Sequence, residues 1–114
     1  MSSSESHQPQ VLVLVRDLMF ASKIRSTAES MGIPVAMIRD ASTLESAEGI
    51  RLIVDLNQPG ALEAAAAWGR RTGKPVIGFV SHVDTDTIGA AREAGIQQVL
   101  ARSRFVSALS DLLR

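Results

Sequence analysis

Four polar side chains follow apolar runs in ways that could carry chemistry. Asp55 closes the run in "RLIVDLNQPG" and is followed at once by Leu56, Asn57 and the pair Pro59-Gly60. Asp17 stands behind "VLVLV" and Arg16, Ser81 behind "KPVIGFV", and Arg102 behind "IQQVLA". If these runs are neighbouring strands, all four residues meet at one rim. Two carboxylates there repel unless a cation sits between them. A hard divalent ion such as magnesium takes oxygen ligands of this kind. An aspartate oxygen beside such an ion can attack a phosphoryl group and become an acyl phosphate. A hydroxyl and a cationic side chain would then hold the new phosphate oxygens.

The elements that must position these residues are legible from the apolar patterning. Continuous apolar runs at 11–15, 33–38, 50–56, 74–81 and 96–101 read as strands covered on both faces. Between them lie segments with helical signals. Phe20, Ile24, Thr27, Ala28 and Met31 have helical spacing before the stop at Gly32. Residues 42–48 suffice for a helix of about two turns, and 61–73 run from strong helix formers to Gly73. Residues 84–95 end in Gly95, and 103–114 carry the stripe Phe105, Val106, Ala108, Leu109, Leu112 and Leu113. Fivefold alternation predicts a flavodoxin-like, doubly wound α/β domain: a five-stranded parallel sheet of order 2-1-3-4-5 with helices on both faces. In such sheets ligands bind beyond the carboxyl ends of the strands, between strands 1 and 3, which is where Asp17 and Asp55 fall.

Length and composition set limits. The 114 residues fit one domain, assigned to 11–114 behind a polar, disordered tail at 1–10. With 12 basic and 12 acidic residues there is no basic footprint for nucleic acid. The absence of cysteine excludes disulfides, thiol catalysis and cysteine zinc sites. The tail lacks the regions of a signal peptide, and no run reaches membrane-spanning length. These features predict a soluble, cytoplasmic protein that contacts neither nucleic acid nor membrane.

In these residues the chain resembles the receiver domain of two-component response regulators, over positions 11 to 114. "LIVDLNQPG" is similar to that family's third strand and loop, and "AAREAGIQQVL" to its fourth helix and entry to the fifth strand. The resemblance implies Asp55 as phosphoacceptor and Asp17, Asp55 and the backbone carbonyl of Asn57 as magnesium ligands. It implies Ser81 as the switch hydroxyl and Arg102 as the phosphate-contacting cation. It also implies a histidine kinase as phosphodonor and a partner-binding face made by the fourth helix, fifth strand and last helix.

The departures act on the same site. Where the family has two adjacent acids after strand 1, this chain has Arg16-Asp17; where it has Lys-Pro after strand 5, this chain has Arg102-Ser103. An arginine fork does not replace a lysine conservatively. The family's switch aromatic falls on Val99. Arg16 within a few ångströms of a divalent ion would oppose it by several kcal/mol at an effective dielectric of ~20. Magnesium is therefore the implied cofactor, with binding expected to be weakened or lost, and Arg16 or Arg102 is expected to pair with Asp55 in its place. This describes a degenerate, pseudo-receiver-like module that works by protein–protein contact, with another protein or a second copy. A phospho-accepting receiver in a phosphorelay is the alternative.

Simpler roles stand beside these. Asp17 can cap the first helix, and Asp55 can cap the turn that follows it. His7 and His82 have no ligand spacing. "DTDT" at 84–87 lacks calcium-loop spacing and reads as capping, and Trp68 reads as a half-buried packing residue. No glycine-rich dinucleotide turn, phosphate loop or nucleophile elbow is present, so an enzyme turning over a substrate is not expected. The sequence stops at Arg114, behind the last helix, which leaves either a protein acting through binding or a piece of a longer chain.

Overall fold

The structure, a computed structural model, describes residues 10–81 and 85–114. The assigned tail, His7, His82 and the start of "DTDT" lie outside the described residues, apart from Gln10. The Gln10 carbonyl accepts the Ile50 N–H at 2.9 Å and so already belongs to the folded body.

The strands are β1 (Val11–Leu14), β2 (Val35–Ile38), β3 (Arg51–Asp55), β4 (Val76–Val80) and β5 (Gln98–Ala101). They form one parallel sheet in the order β2-β1-β3-β4-β5, as expected. The helices are α1 (Leu18–Ser30), α2 (Ala61–Thr72), α3 (Thr85–Glu93), α4 (Arg102–Ser107) and α5 (Leu109–Leu113); a 3-10 helix occupies Ala41–Glu45. No helix among the described residues is long and apolar enough to cross a membrane.

The two-residue period of the strands sorts the core into two layers. Val11, Val13, Ile53, Ile77 and Phe79 pack with Phe20 and Ile24 of α1 and with Phe105, Leu109 and Leu113 at the C-terminus. Leu12, Leu14, Leu52, Val54 and Val80 face the other way, against Ala65 and Trp68 of α2, Ala91 of α3 and Leu44 of the 3-10 helix. Aliphatic strands with both faces covered produce the unbroken apolar runs seen in the sequence.

Three local expectations change. The segment expected as a two-turn helix at 42–48 is a single 3-10 helix, capped by the Asp40 carboxylate on the Ser42 N–H at 3.2 Å. Helix α2 closes over it: the Trp68 indole N–H and the Arg71 guanidinium both donate to the Ala47 carbonyl, at 3.0 and 2.9 Å. Trp68 is accordingly fully buried rather than half-buried. The expected last helix divides into α4 and α5 at Ala108 (φ −104°, ψ 8°). The Ser107 hydroxyl donates to the Arg104 carbonyl at 3.0 Å, which also accepts the Ala108 N–H at 3.1 Å, and Phe105 and Leu109 on either side of the break are both buried.

Candidate functional site

The carboxyl edge of β3 is built by one turn. The Asn57 N–H donates to Asp55 Oδ1 at 3.0 Å, and the Gln58 N–H donates to the Asp55 carbonyl at 3.2 Å. Gly60 then takes a left-handed conformation (φ 76°) that launches α2, a backbone state few residues other than glycine adopt freely. The Asn57 side-chain Oδ1 accepts the Ser81 backbone N–H at 2.7 Å. That bond ties the turn behind Asp55 to the end of β4, with Ser81 itself exposed. Leu56 anchors the turn from below: its N–H donates to the Phe79 carbonyl at 3.0 Å, and its side chain lies over Gly78. Gln58, which no sequence pattern marks, is buried, and its Oε1 has no hydrogen-bond partner among the described residues.

Asp17 does two things at once. Its Oδ1 accepts the Met19 and Phe20 N–H groups at 3.0 and 3.1 Å, capping α1, and its Oδ2 accepts from Arg102 Nη2 at 3.1 Å. The Phe20 N–H, followed by the Arg102 guanidinium, holds the Asp17 carboxyl below its ordinary range. The capping role and the site role expected for Asp17 thus coexist, because each oxygen serves a different element.

Arg102 begins α4 and lies over the Phe20 ring, 4.1 Å from its centroid. Beneath it the three phenylalanines of the chain stack together. Phe20 meets Phe79 edge-on at 4.9 Å, and Phe79 stacks on Phe105 at 4.8 Å. Phe79 is also the register partner of Asp55 in the sheet. The guanidinium is thereby held from two sides, by a carboxylate and by a ring face. The sequence carries Phe20, Phe79 and Phe105 in three separate elements, and only their exclusive use as the phenylalanines of the chain hints that they meet.

Asp55 is half-buried, and loss of water raises its carboxyl above the ordinary value; the Asn57 N–H and the positive field of Arg102 pull it back, while the Asp17 charge pushes it up. Asp17, Asp55 and Arg102 are therefore within electrostatic reach of one another. The expected pairing is corrected, however: Arg102 pairs with Asp17, and Asp55 makes no ion pair among the described residues. Arg16 does not enter this cleft either. It lines a separate groove with Arg25 and Arg39, beside β2. Val99 pairs with Gly78 and packs half-buried against the α2–α3 layer of the core.

Asp17, as placed, is not free to ligate a magnesium ion. Asp17 Oδ1 is engaged by the α1 cap and Oδ2 by Arg102. A cation at Asp17 would first have to displace Arg102, at a further cost in like-charge repulsion.

No protein-family model matches the chain, and no curated protein matches its sequence. Solved structures do match. A CheY-like response regulator receiver domain protein from Methanospirillum hungatei aligns with a TM-score of 0.76 at 13% identity, over 92% of this chain and 93% of that one. A response regulator from Burkholderia pseudomallei, with a phosphorylated aspartic acid, calcium ion and citrate, aligns at 0.73 and 16%, over 93% and 69%. A response regulator receiver protein from Burkholderia phymatum aligns at 0.66 and 23%, over 93% and 95%. The fold of this chain is that of the CheY-like receiver domains.

Proposed function

We propose that the chain is a response-regulator receiver-like signalling module, cytoplasmic and non-enzymatic, that acts through protein–protein contact with magnesium-dependent phosphorylation of Asp55 impaired or lost. The observation that carries this reading is the 3.1 Å bond between Arg102 and Asp17. It sets a guanidinium on the carboxylate that a receiver of the usual kind would offer to its metal. The candidate roles follow from it. Asp55 is the residue in the phosphoacceptor position, Asn57 and Ser81 brace its turn, and Arg102 supplies the positive charge of the cleft. The candidate partner surface is the face of α3, β5 and the last helical segment, α4 with α5. It takes either another protein or a second copy of the chain.

A second reading rests on a different observation. Asp55 is free of ion pairs among the described residues and half-buried at the carboxyl edge, within the field of Arg102. A carboxylate in that setting retains the geometry of an acceptor, with a guanidinium available to hold phosphate oxygens. On this reading the module accepts phosphate from a histidine kinase.

Incubation with acetyl phosphate and magnesium, read by intact mass with Asp55→Asn as control, separates the two. An unmodified wild-type chain is the expected result. A mass increase of one phosphoryl group that Asp55→Asn abolishes establishes the second reading in its place.

A further inference from the structure

The displaced Arg16 belongs to a feature that the receiver-like site does not use. Strands β1 and β2 pair with Leu14 opposite Ile38. Arg39 is the next residue after Ile38, and Arg16 comes two residues after Leu14. Adjacent strands lie about 4.8 Å apart, so the two arginines leave the sheet at neighbouring points. On α1, Leu18, Ala21, Ser22 and Arg25 recur at the spacing that defines one helical face, and that face looks onto the same place. The result is a groove of about 700 Å³ in which Arg16, Arg25 and Arg39 surround an apolar floor of Val15, Met37 and Ile38. Neither Asp55 nor Asp17, Arg102 or Ser81 lines it.

The three guanidinia are exposed, and among the described residues none forms an ion pair or donates a hydrogen bond within the protein. The one acid in the lining, Asp40, spends its Oδ1 on the Ser42 N–H. The charge is local: with these four residues set aside, nine basic and eleven acidic residues remain in the chain. Three arginines without internal partners on one concavity of an otherwise slightly acidic molecule make a local positive field that draws an anion. The basic charge is too confined for a nucleic-acid backbone, which needs an extended positive track.

We infer that this groove binds a small organic phosphate of the nucleoside diphosphate class. Guanidinium forks match phosphate oxygens in pairs, and two linked phosphates offer enough charge for three arginines. The volume lies in the range of small-molecule sites, roughly 300 to 1,000 Å³, which combine an apolar lining with few polar anchors. Met37, Ile38 and Leu18 supply the apolar surface on which the flat base rests, Leu18 being 75% exposed at its edge. This assignment is independent of what happens at Asp55.

Titration of the full chain with ADP, GDP and, separately, inorganic pyrophosphate, followed by amide NMR shifts, tests it. Saturable shifts are expected at residues 15–25 and 37–40 with either nucleotide, with pyrophosphate about tenfold weaker for want of an apolar body. Arg25→Gln and Arg39→Gln, both at exposed positions, are each expected to weaken binding by about tenfold, with the amide pattern elsewhere confirming the fold. Arg92→Gln on α3 and Asp55→Asn are expected to leave it unchanged. Absence of saturation with both nucleotides, shifts centred elsewhere, or affinity untouched by the two groove substitutions overturns the proposal. So does pyrophosphate binding as tightly as the nucleotides, or a polyglutamate peptide binding more tightly than either.

Discussion

Arg102 and Asp17, 85 positions apart in the chain, meet at 3.1 Å across the rim of the sheet. Asp17 is held by its capping bonds on α1 and Arg102 by the Phe20 ring, so the pair joins the start of the first helix to the start of the fourth. On the proposed reading Arg102 occupies a carboxylate that a metal would use, and several consequences can be measured.

Removing the guanidinium from Asp17 should raise the affinity of the cleft for magnesium. Arg102→Ala removes the guanidinium from Asp17 and leaves its Oδ2 open to a hard cation. Saturable magnesium binding in the millimolar range, read by amide shifts at residues 16–17 and 55–57, is expected for the variant and not for the wild type. Saturation of the wild type at the same concentrations refutes the blocking role of Arg102.

Asp55 should make the wild type less stable at neutral pH than its amide counterpart. Its folded-state carboxyl is raised by loss of water, so the ionised form is the disfavoured one in the folded state. The penalty is present at neutral pH, shrinks as pH falls through the raised folded value, and is gone below the ordinary value of 3.8. Asp55→Asn is therefore expected to raise the urea midpoint at pH 7 and to lose that advantage near pH 3. Equal midpoints at pH 7 contradict the assignment.

Asp17 carries the opposite sign. Its folded-state carboxyl is lowered, chiefly by the Phe20 N–H and then by Arg102. The stability it contributes is fully present above 3.8 and is lost as pH falls through the depressed folded value. The wild type should lose stability on acidification through that window, and Asp17→Asn, which keeps a capping oxygen but no charge, should lose less. A steeper acid loss in the variant than in the wild type is the contrary outcome.

The ring beneath the guanidinium should be energetically coupled to it. A double-mutant cycle of Phe20→Leu and Arg102→Ala is expected to return an interaction of about 0.5–1 kcal/mol, the range for a partly exposed cation over a ring. Phe79→Ala, at the centre of the three-ring stack, should cost about 3–5 kcal/mol in the same denaturation assay. A coupling indistinguishable from zero would mean that the ring only shields the arginine.

Gly78 holds space for the turn behind Asp55. A Cβ there would stand 2.5 Å from Leu56 Cδ1 and 2.9 Å from its Cγ, and Leu56 is buried. Gly78→Ala should therefore destabilise by about 1–3 kcal/mol through overpacking and shift the amides of residues 55–58. A neutral substitution with those amides unmoved would show that Leu56 repacks freely.

Much of this was readable before any coordinates. The five apolar runs appear as the five strands, each within two residues at its ends, and the alternation of strand and helix led to the observed sheet order. Residues at strand ends could be located as well, since a run of aliphatic side chains must stop where the sheet meets water. The break at Ala108 was not readable, because the apolar stripe from Phe105 to Leu113 continues across it. Gln58 was equally silent, since a polar residue in a loop gives no sign that it will be buried.

What the sequence determined alone was periodicity, composition and charge: which segments are buried, that they alternate, and that an aspartate closes the third strand. Which charged groups pair was decided by tertiary structure. Position 16 and position 102 are both arginines near the same rim, and one-dimensional spacing does not distinguish them. The cap on α1 turns Asp17 toward α4 and leaves its neighbour to the groove beside β2, while the rings of Phe20, Phe79 and Phe105 hold Arg102 in place. An ion pair depends on distances of a few ångströms between residues far apart in the chain, and those distances exist only once the helices have packed onto the sheet.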